Sequence, residues 1–196
     1  NENLFFYPRL KKAYNEMFSQ LPLKTAVDVG DNRGQTIDFF KKINKDVEII
    51  GFEPNKDLYE MIVNMEIPNL TIFNYGCSNI SGQLMFHENI LDESSTFEQT
   101  NSNSKWLLKK AKILGVNPDK LINNSYKVKV VQLSDFLNSN LNFQKVDILK
   151  IDVEGHEMNV LKGLFSEILI KHIRFIQVEV HDDDMYFGNK KSDIFE

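Results

Sequence analysis

The sequence contains one cysteine, Cys77, which excludes an intrachain disulfide framework and any all-cysteine zinc site. A reducing compartment is the setting this composition predicts. No apolar run reaches the roughly 18 residues of a membrane helix, and no charged-then-apolar leader follows Asn1. The expectation is therefore a cytoplasmic protein without an integral membrane segment. Positive charge is also short: 23 Lys and Arg against 28 Asp and Glu leave a net charge of -5. Tracking phosphates needs a clustered basic surface, so no nucleic-acid partner is expected. Proline and glycine gather into no linker, and no segment repeats. With 196 residues, this reads as one domain, at roughly 150 residues per domain.

Hydrophobic residues make up 42% of the chain, enough for a full core, and they fall into alternating patterns. Leu10, Tyr14, Met17, Phe18 and Leu21 have helical spacing. A strand over Lys24 to Val29 is followed by a helix from Gly34 to Ile43, then by a strand over Val47 to Glu53. Asn55 is placed to cap a helix with Leu58, Met61, Ile62 and Met65 on one face, and Leu70 to Tyr75 reads as a third strand. Gly82 to Glu88 and Tyr126 to Leu133 read as antiparallel partners, with period-two alternation at Lys127 to Val130. Between them, residues 89–125 form an Asn- and Ser-rich insertion with one helix around Trp106. Val146 to Ile151 and Ile173 to Val180 read as buried strands on either side of a helix carrying Leu161, Leu164, Phe165 and Ile168. Such alternation specifies an α/β fold with a mainly parallel central sheet and helices on both faces. Ligands of such sheets bind outside the carboxyl ends of the strands, where strand order reverses.

The polar residues at those ends therefore matter most. The first strand closes in Asp28-Val29-Gly30-Asp31-Asn32-Arg33-Gly34, whose spacing is not the G-x-G-x-x-G of nicotinamide folds. This loop serves a small polar ligand or is merely a turn with an Asp or Asn helix cap. Glu53 follows Gly30 at the distance where ribose hydroxyls are held, although a helix N-terminus also favours a carboxylate. Asp152, Glu154, His156 and Glu157 crowd behind Val146 to Ile151, and Glu179 and His181 share a face after the last strand. Burying such charges unpaired is costly, so a cavity, a cation or water should face them. His87 reads as structural, Trp106 as a packing residue, and Lys109, Lys110, Lys190 and Lys191 as solvated faces. Asp182, Asp183 and Asp184 read as a cap, while Ser94, Ser95 and Thr96 sit where a lid would belong.

The segments VDVGDNRGQT (27–36), GFEPN (51–55), NYGCSNISGQ (74–83), LKIDVEGHEMNVLKG (149–163) and QVEVH (177–181) resemble the FkbM family of S-adenosylmethionine-dependent methyltransferases. The resemblance implies a class I methyltransferase Rossmann-like fold over residues 24–196, with residues 1–23 as a helix packed on it. It implies S-adenosyl-L-methionine as cofactor. Asp28, Gly30, Asn32 and Gly34 would surround the methionine part, and Glu53 would accept from the ribose hydroxyls. Pro54 and Asn55 would border the adenine, Cys77 and Ser78 would lie at its ring edge, and Asp152 would sit beneath the sulfonium. Asp31 departs from the family, which usually has Ala there. The C-terminal antiparallel strands of class I enzymes are expected to be incomplete before Glu196.

The implied reaction is O-methylation of a hydroxyl on a sugar, glycolipid or secondary-metabolite acceptor. His181 is the expected general base, because imidazole titrates near neutrality, with Glu154 as the alternative and Asp152 turned to the cofactor. Metal-free chemistry is expected ahead of a magnesium site built from Asp152, Glu154, Glu179 and His181. The rival functions are a nicotinamide-dependent oxidoreductase, which the missing glycine triad opposes, and a non-catalytic binding domain, which the acidic strand ends oppose. Residues 89–125 are expected to select the acceptor. Nothing in the sequence specifies an oligomeric state.

Overall fold

The computed structural model describes residues 2–90, 94–101, 103–117, 120–140, 145–164, 170–180 and 185–186, with side chains at all of these except 2–7 and 110. The order is α1 (Glu2–Met17), β1 (Thr25–Val29), α2 (Gln35–Ile43), β2 (Glu48–Phe52), α3 (Lys56–Val63), β3 (Leu70–Phe73), β4 (Gly76–Ser78), β5 (Gly82–Asn89), α4 (Lys105–Leu114), β6 (Ile122–Gln132), α5 (Leu133–Asn140), β7 (Val146–Ile151), α6 (Glu157–Leu164) and β8 (Ile173–Val178). Five strands form an all-parallel central sheet in the order β3-β2-β1-β7-β8. The chain steps outward from β1 to β3 and returns beside β1 at β7, so strand order reverses between β1 and β7. This is a Rossmann-like arrangement.

Alternate residues of the strands feed two cores, as the two-residue period requires. Ala26, Ile49, Ile148 and Phe175 face one side, where they meet Tyr14 and Phe18 and, from α2 and α3, Ile37, Phe40 and Ile62. Val27, Phe52, Leu149 and Ile151 face the other, against Leu133 and Leu137 of α5 and Val160 and Leu164 of α6. A separate three-stranded sheet in the order β4-β6-β5 covers this second side; β5 and β6 are antiparallel, as the alternation predicted. Among the described residues no helix is long and apolar enough to cross a membrane.

Several elements differ from expectation. The helix after Asn55 ends at Val63, and Met65 is 47% exposed, because Asn64 caps the helix first. Strand β8 is an edge strand with Ile176 exposed, so it is not buried on both faces. Strand β4 and helix α5 went unpredicted; β4 has only three residues, and the polar LSDFLNSN of α5 has weak helix propensity. Leu21 is 61% and Trp106 45% exposed, so neither is a core residue. The expected helical positions Phe165 and Ile168 lie outside the described residues.

Candidate active site

The parallel register sets Gly51, Asp28, Lys150 and Gln177 side by side on β2, β1, β7 and β8. Each lies two residues beyond a member of the α1–α2 core, so a polar row tops that apolar face at the carboxyl edge of the sheet. Gly51 leaves room for a carboxyl from the neighbouring loop: a Cβ there would stand 2.1 Å from Asp31 Oδ2. Lys150 Nζ donates to Asp152 Oδ2 at 2.8 Å and stands 3.7 Å from Asp28 Oδ1. Burial works against its ammonium, but Asp28 and Asp152 outweigh it and hold Lys150 above the usual lysine pKa. Lys150 therefore stays charged and supplies no base. Tyr14 of α1 closes the row by donating its hydroxyl to Gln177 Oε1.

The loop after β1 turns at Gly30 with φ +94°, where a Cβ would come within 1.8 Å of the Asp152 carbonyl oxygen. Only glycine fits that approach. Gly34 is itself the N-cap of α2, at φ +80° and without a side-chain cap, so neither Asp31 nor Asn32 caps this helix. Asn32 takes the left-handed conformation (φ +51°), and its amide donates to Glu53 Oε2 at 2.7 Å. The Asn55 amide donates to Glu53 Oε1 at 2.8 Å. One buried carboxylate thus ties the loops after β1 and β2 together. Asn55 caps α3 through its side chain, which accepts from the amides of Asp57 and Leu58. Asn74 donates to the carbonyls of Glu53 and Pro54, holding the second loop from behind.

The acidic cluster after β7 divides. Glu157 is fully buried and accepts from the amides of Val153 and Gly155, both at 3.1 Å. His156 joins Glu98 through Nδ1 at 2.6 Å and Ser78 Oγ through Nε2 at 2.9 Å. These two are satisfied inside the protein, contrary to the expectation that the whole cluster faces a cavity. Asp152 and Glu154 do line one, and Tyr186 Oη donates to Glu154 Oε2 at 2.8 Å. Thr96 donates to the Glu154 carbonyl at 2.6 Å, and Phe97 packs so closely on Gly76 that a Cβ there would stand 2.4 Å from its ring. The start of the 89–125 insertion is therefore a wall of the site.

The cavity at this edge encloses about 990 Å³. Gly30, Asn32, Glu53 and Pro54 line it from the first two loops, and Cys77, Asp152 and Glu154 from β4 and beyond β7. The remaining predicted residues do not reach it: Asp28 lies fully buried below, Gly34 and Asn55 cap helices, and Ser78 bonds His156. His181 lies outside the described residues, as do Asp182, Asp183, Asp184, Lys190 and Lys191; Glu179 and Val180 line the cavity. Burial, and then the charge of Asp31, push the Cys77 thiol well up, which leaves it neutral. Asp152, Glu154 and Glu179 each offer an oxygen within 4.8 Å of the others, a hard donor set that could hold a divalent cation. Sequence reasoning missed Lys150, Gln177, Tyr14 and Asn74; all but Tyr14 stood inside the quoted motifs, and register alone links Lys150 and Gln177 to Asp28.

A parallel sheet whose order reverses beside the cavity, with a glycine turn after β1 and a carboxylate after β2, is a Rossmann-like arrangement with a ligand site at its switch point. Residues 28–196 match the methyltransferase FkbM domain, and the chain belongs to that family of methyltransferases. A relative described as methyltransferase 1, from Beauveria bassiana, is 30% identical over 149 residues, covering 72% of this chain and 58% of that protein. A hexuronic acid methyltransferase, AglP, of Haloferax volcanii is 25% identical over 136 residues, covering 68% of this chain and 47% of that protein. The chain thus spans about half the length of the curated relatives it matches. No solved structure matches it.

Proposed function

We propose that the cavity binds S-adenosyl-L-methionine and that the domain methylates a hydroxyl oxygen on a sugar, glycolipid or secondary-metabolite acceptor. The observation that carries this reading is Glu53, a buried carboxylate fixed by two backbone amides at the cavity edge, where a carboxylate accepts from ribose hydroxyls in mononucleotide-binding folds. The residues present fit the cofactor: a nucleoside enters a cavity of this volume, and the buried carboxyls of Asp28 and Asp31 offer negative charge to a cation. Bound there, the cofactor supplies an electrophilic methyl on a sulfonium. Gly30, Asn32 and Glu53 would hold the nucleoside and methionine portions, with Pro54 beside the base and Cys77 behind it, while Asn55 and Ser78 support these from outside the cavity. Asp152 would add negative charge near the sulfur, shared with Lys150. Alignment of acceptor oxygen, methyl carbon and sulfur contributes about 7–11 kcal/mol.

The chain must also remove the acceptor's proton. His181 is the proposed base, since Glu154 already accepts a hydrogen bond from Tyr186 and Val180 brings the chain to the cavity wall. A sugar acceptor is supported by the hexuronic acid specificity in the name of one relative.

Thermal-shift measurements test the cofactor assignment: S-adenosylhomocysteine should raise the melting temperature and nicotinamide dinucleotide should not, while Glu53→Ala abolishes the response. An unshifted wild type would overturn it. His181→Ala should lower turnover by about 10²- to 10⁴-fold with the shift retained. If only Glu154→Ala does so, the base is Glu154.

A further inference from the structure

Three carboxyls and one ammonium meet at the floor of the cavity: Asp28, Asp31 and Asp152 against Lys150. Lys150 is spent on Asp152 at 2.8 Å and on Asp28 at 3.7 Å. Asp31 is 1% exposed and Asp28 fully buried, and none of their four oxygens meets a donor at hydrogen-bonding geometry among the described residues. The two carboxyls lie against each other, with Thr36 of α2 beside Asp28. Two buried carboxyls in contact, with only a lysine shared with Asp152 to balance them, are not both ionised, because burial and like charge each disfavour the second charge.

We propose that Asp31 carries the proton of a carboxyl pair with Asp28 in the free protein and releases it to solvent when a cationic methyl donor enters the cavity. The inference rests on the reading of the cavity as a donor site. Asp31 borders that cavity with its carboxyl oxygens buried just beneath the surface, so an incoming cation acts on it across a short, poorly screened distance. The O–H bond of Asp31 breaks, the proton passes to the buffer, and the new carboxylate replaces it with the ligand's charge. The other groups facing Asp31 do not substitute for it: Glu53 is engaged by two amides, Lys150 stays protonated, and the thiol of Cys77 and the hydroxyl of Tyr14 are both pushed up by burial. Burial, then the charge of Asp28, holds Asp31 well above the ordinary carboxylate range, in agreement with the geometry. Donor affinity then rises with pH by up to about tenfold per unit until the free carboxyl is ionised. A ligand without a cation is indifferent to it.

Calorimetry in two buffers of different ionisation enthalpy, at the same neutral pH, reads the proton directly. Wild type should release close to one proton on binding S-adenosylmethionine and none on binding methylthioadenosine, which has neither the sulfonium nor the aliphatic ammonium. Asp31→Asn should bind S-adenosylmethionine without proton release. Proton-free binding of S-adenosylmethionine by wild type, or equal release by Asp31→Asn, overturns the proposal. If neither nucleoside binds wild type, the donor reading fails and takes this inference with it.

Urea unfolding of the free protein adds a readout that needs no ligand. A folded-state pKa above the unfolded one makes the native state hold the extra proton, so wild-type stability should fall as pH rises past the ordinary carboxylate range. Asp31→Asn should lose most of that slope. Parallel slopes would remove the carboxyl pair even if the nucleosides bind.

Discussion

Gly30 and Gly34 occupy one loop, both with positive φ, yet they should tolerate substitution very differently. A Cβ on Gly30 collides with the Asp152 backbone, whereas one on Gly34 meets nothing closer than 3.9 Å. Gly34→Ala should cost about 1–2 kcal/mol, the price of a left-handed L-residue. Gly30→Ala should cost more than about 3 kcal/mol in chemical unfolding and also abolish the nucleoside-induced thermal shift, since the loop must leave β7. Two similar values would contradict the packing. At this scale the sequence showed which residues are unusual but not which are engaged. Glu157 and Glu154 look alike in the string DVEGHE, yet one is sealed on backbone amides while the other borders the cavity.

Helix α1 shows how an element outside the strand-helix repeat enters the site. Its Tyr14 packs on Phe18, Phe39 and Phe40 and sends its hydroxyl to Gln177 at the sheet edge. Tyr14→Phe leaves Gln177 Oε1 without that donor and should cost about 1 kcal/mol. Tyr14→Ala also empties an aromatic site and should cost about 3–5 kcal/mol; equilibrium unfolding in urea compares them. The five parallel strands were legible because each is an apolar run ending in Gly, Pro or acid. β4 and α5 were not, since a three-residue strand has no period and Ser and Asn mask the helical stripe of Leu133 and Leu137. The edge position of β8 was equally hidden, because a run such as IRFIQV does not record its neighbours.

For the molecule as a whole, the proposed chemistry is metal-free although three carboxylates stand close enough to share a cation. Turnover should therefore survive exhaustive treatment with EDTA. Loss of activity restored by magnesium would assign Asp152, Glu154 and Glu179 to a divalent ion. Lys150 and Tyr186 already bond two of them, which lessens the need for a metal to hold the charge.

The linear chain determined the α/β architecture, the family and the loops that carry polar groups, because periodicity and short motifs are local properties. Only the folded sheet decided that Asp28, Gly51, Lys150 and Gln177 form one row, that Asp31 fills the hollow left by Gly51, and that His156 and Glu157 turn inward. Those outcomes depend on strand register and on contacts that exist only once the chain has folded, and spacing along a chain does not encode which buried charge finds a partner.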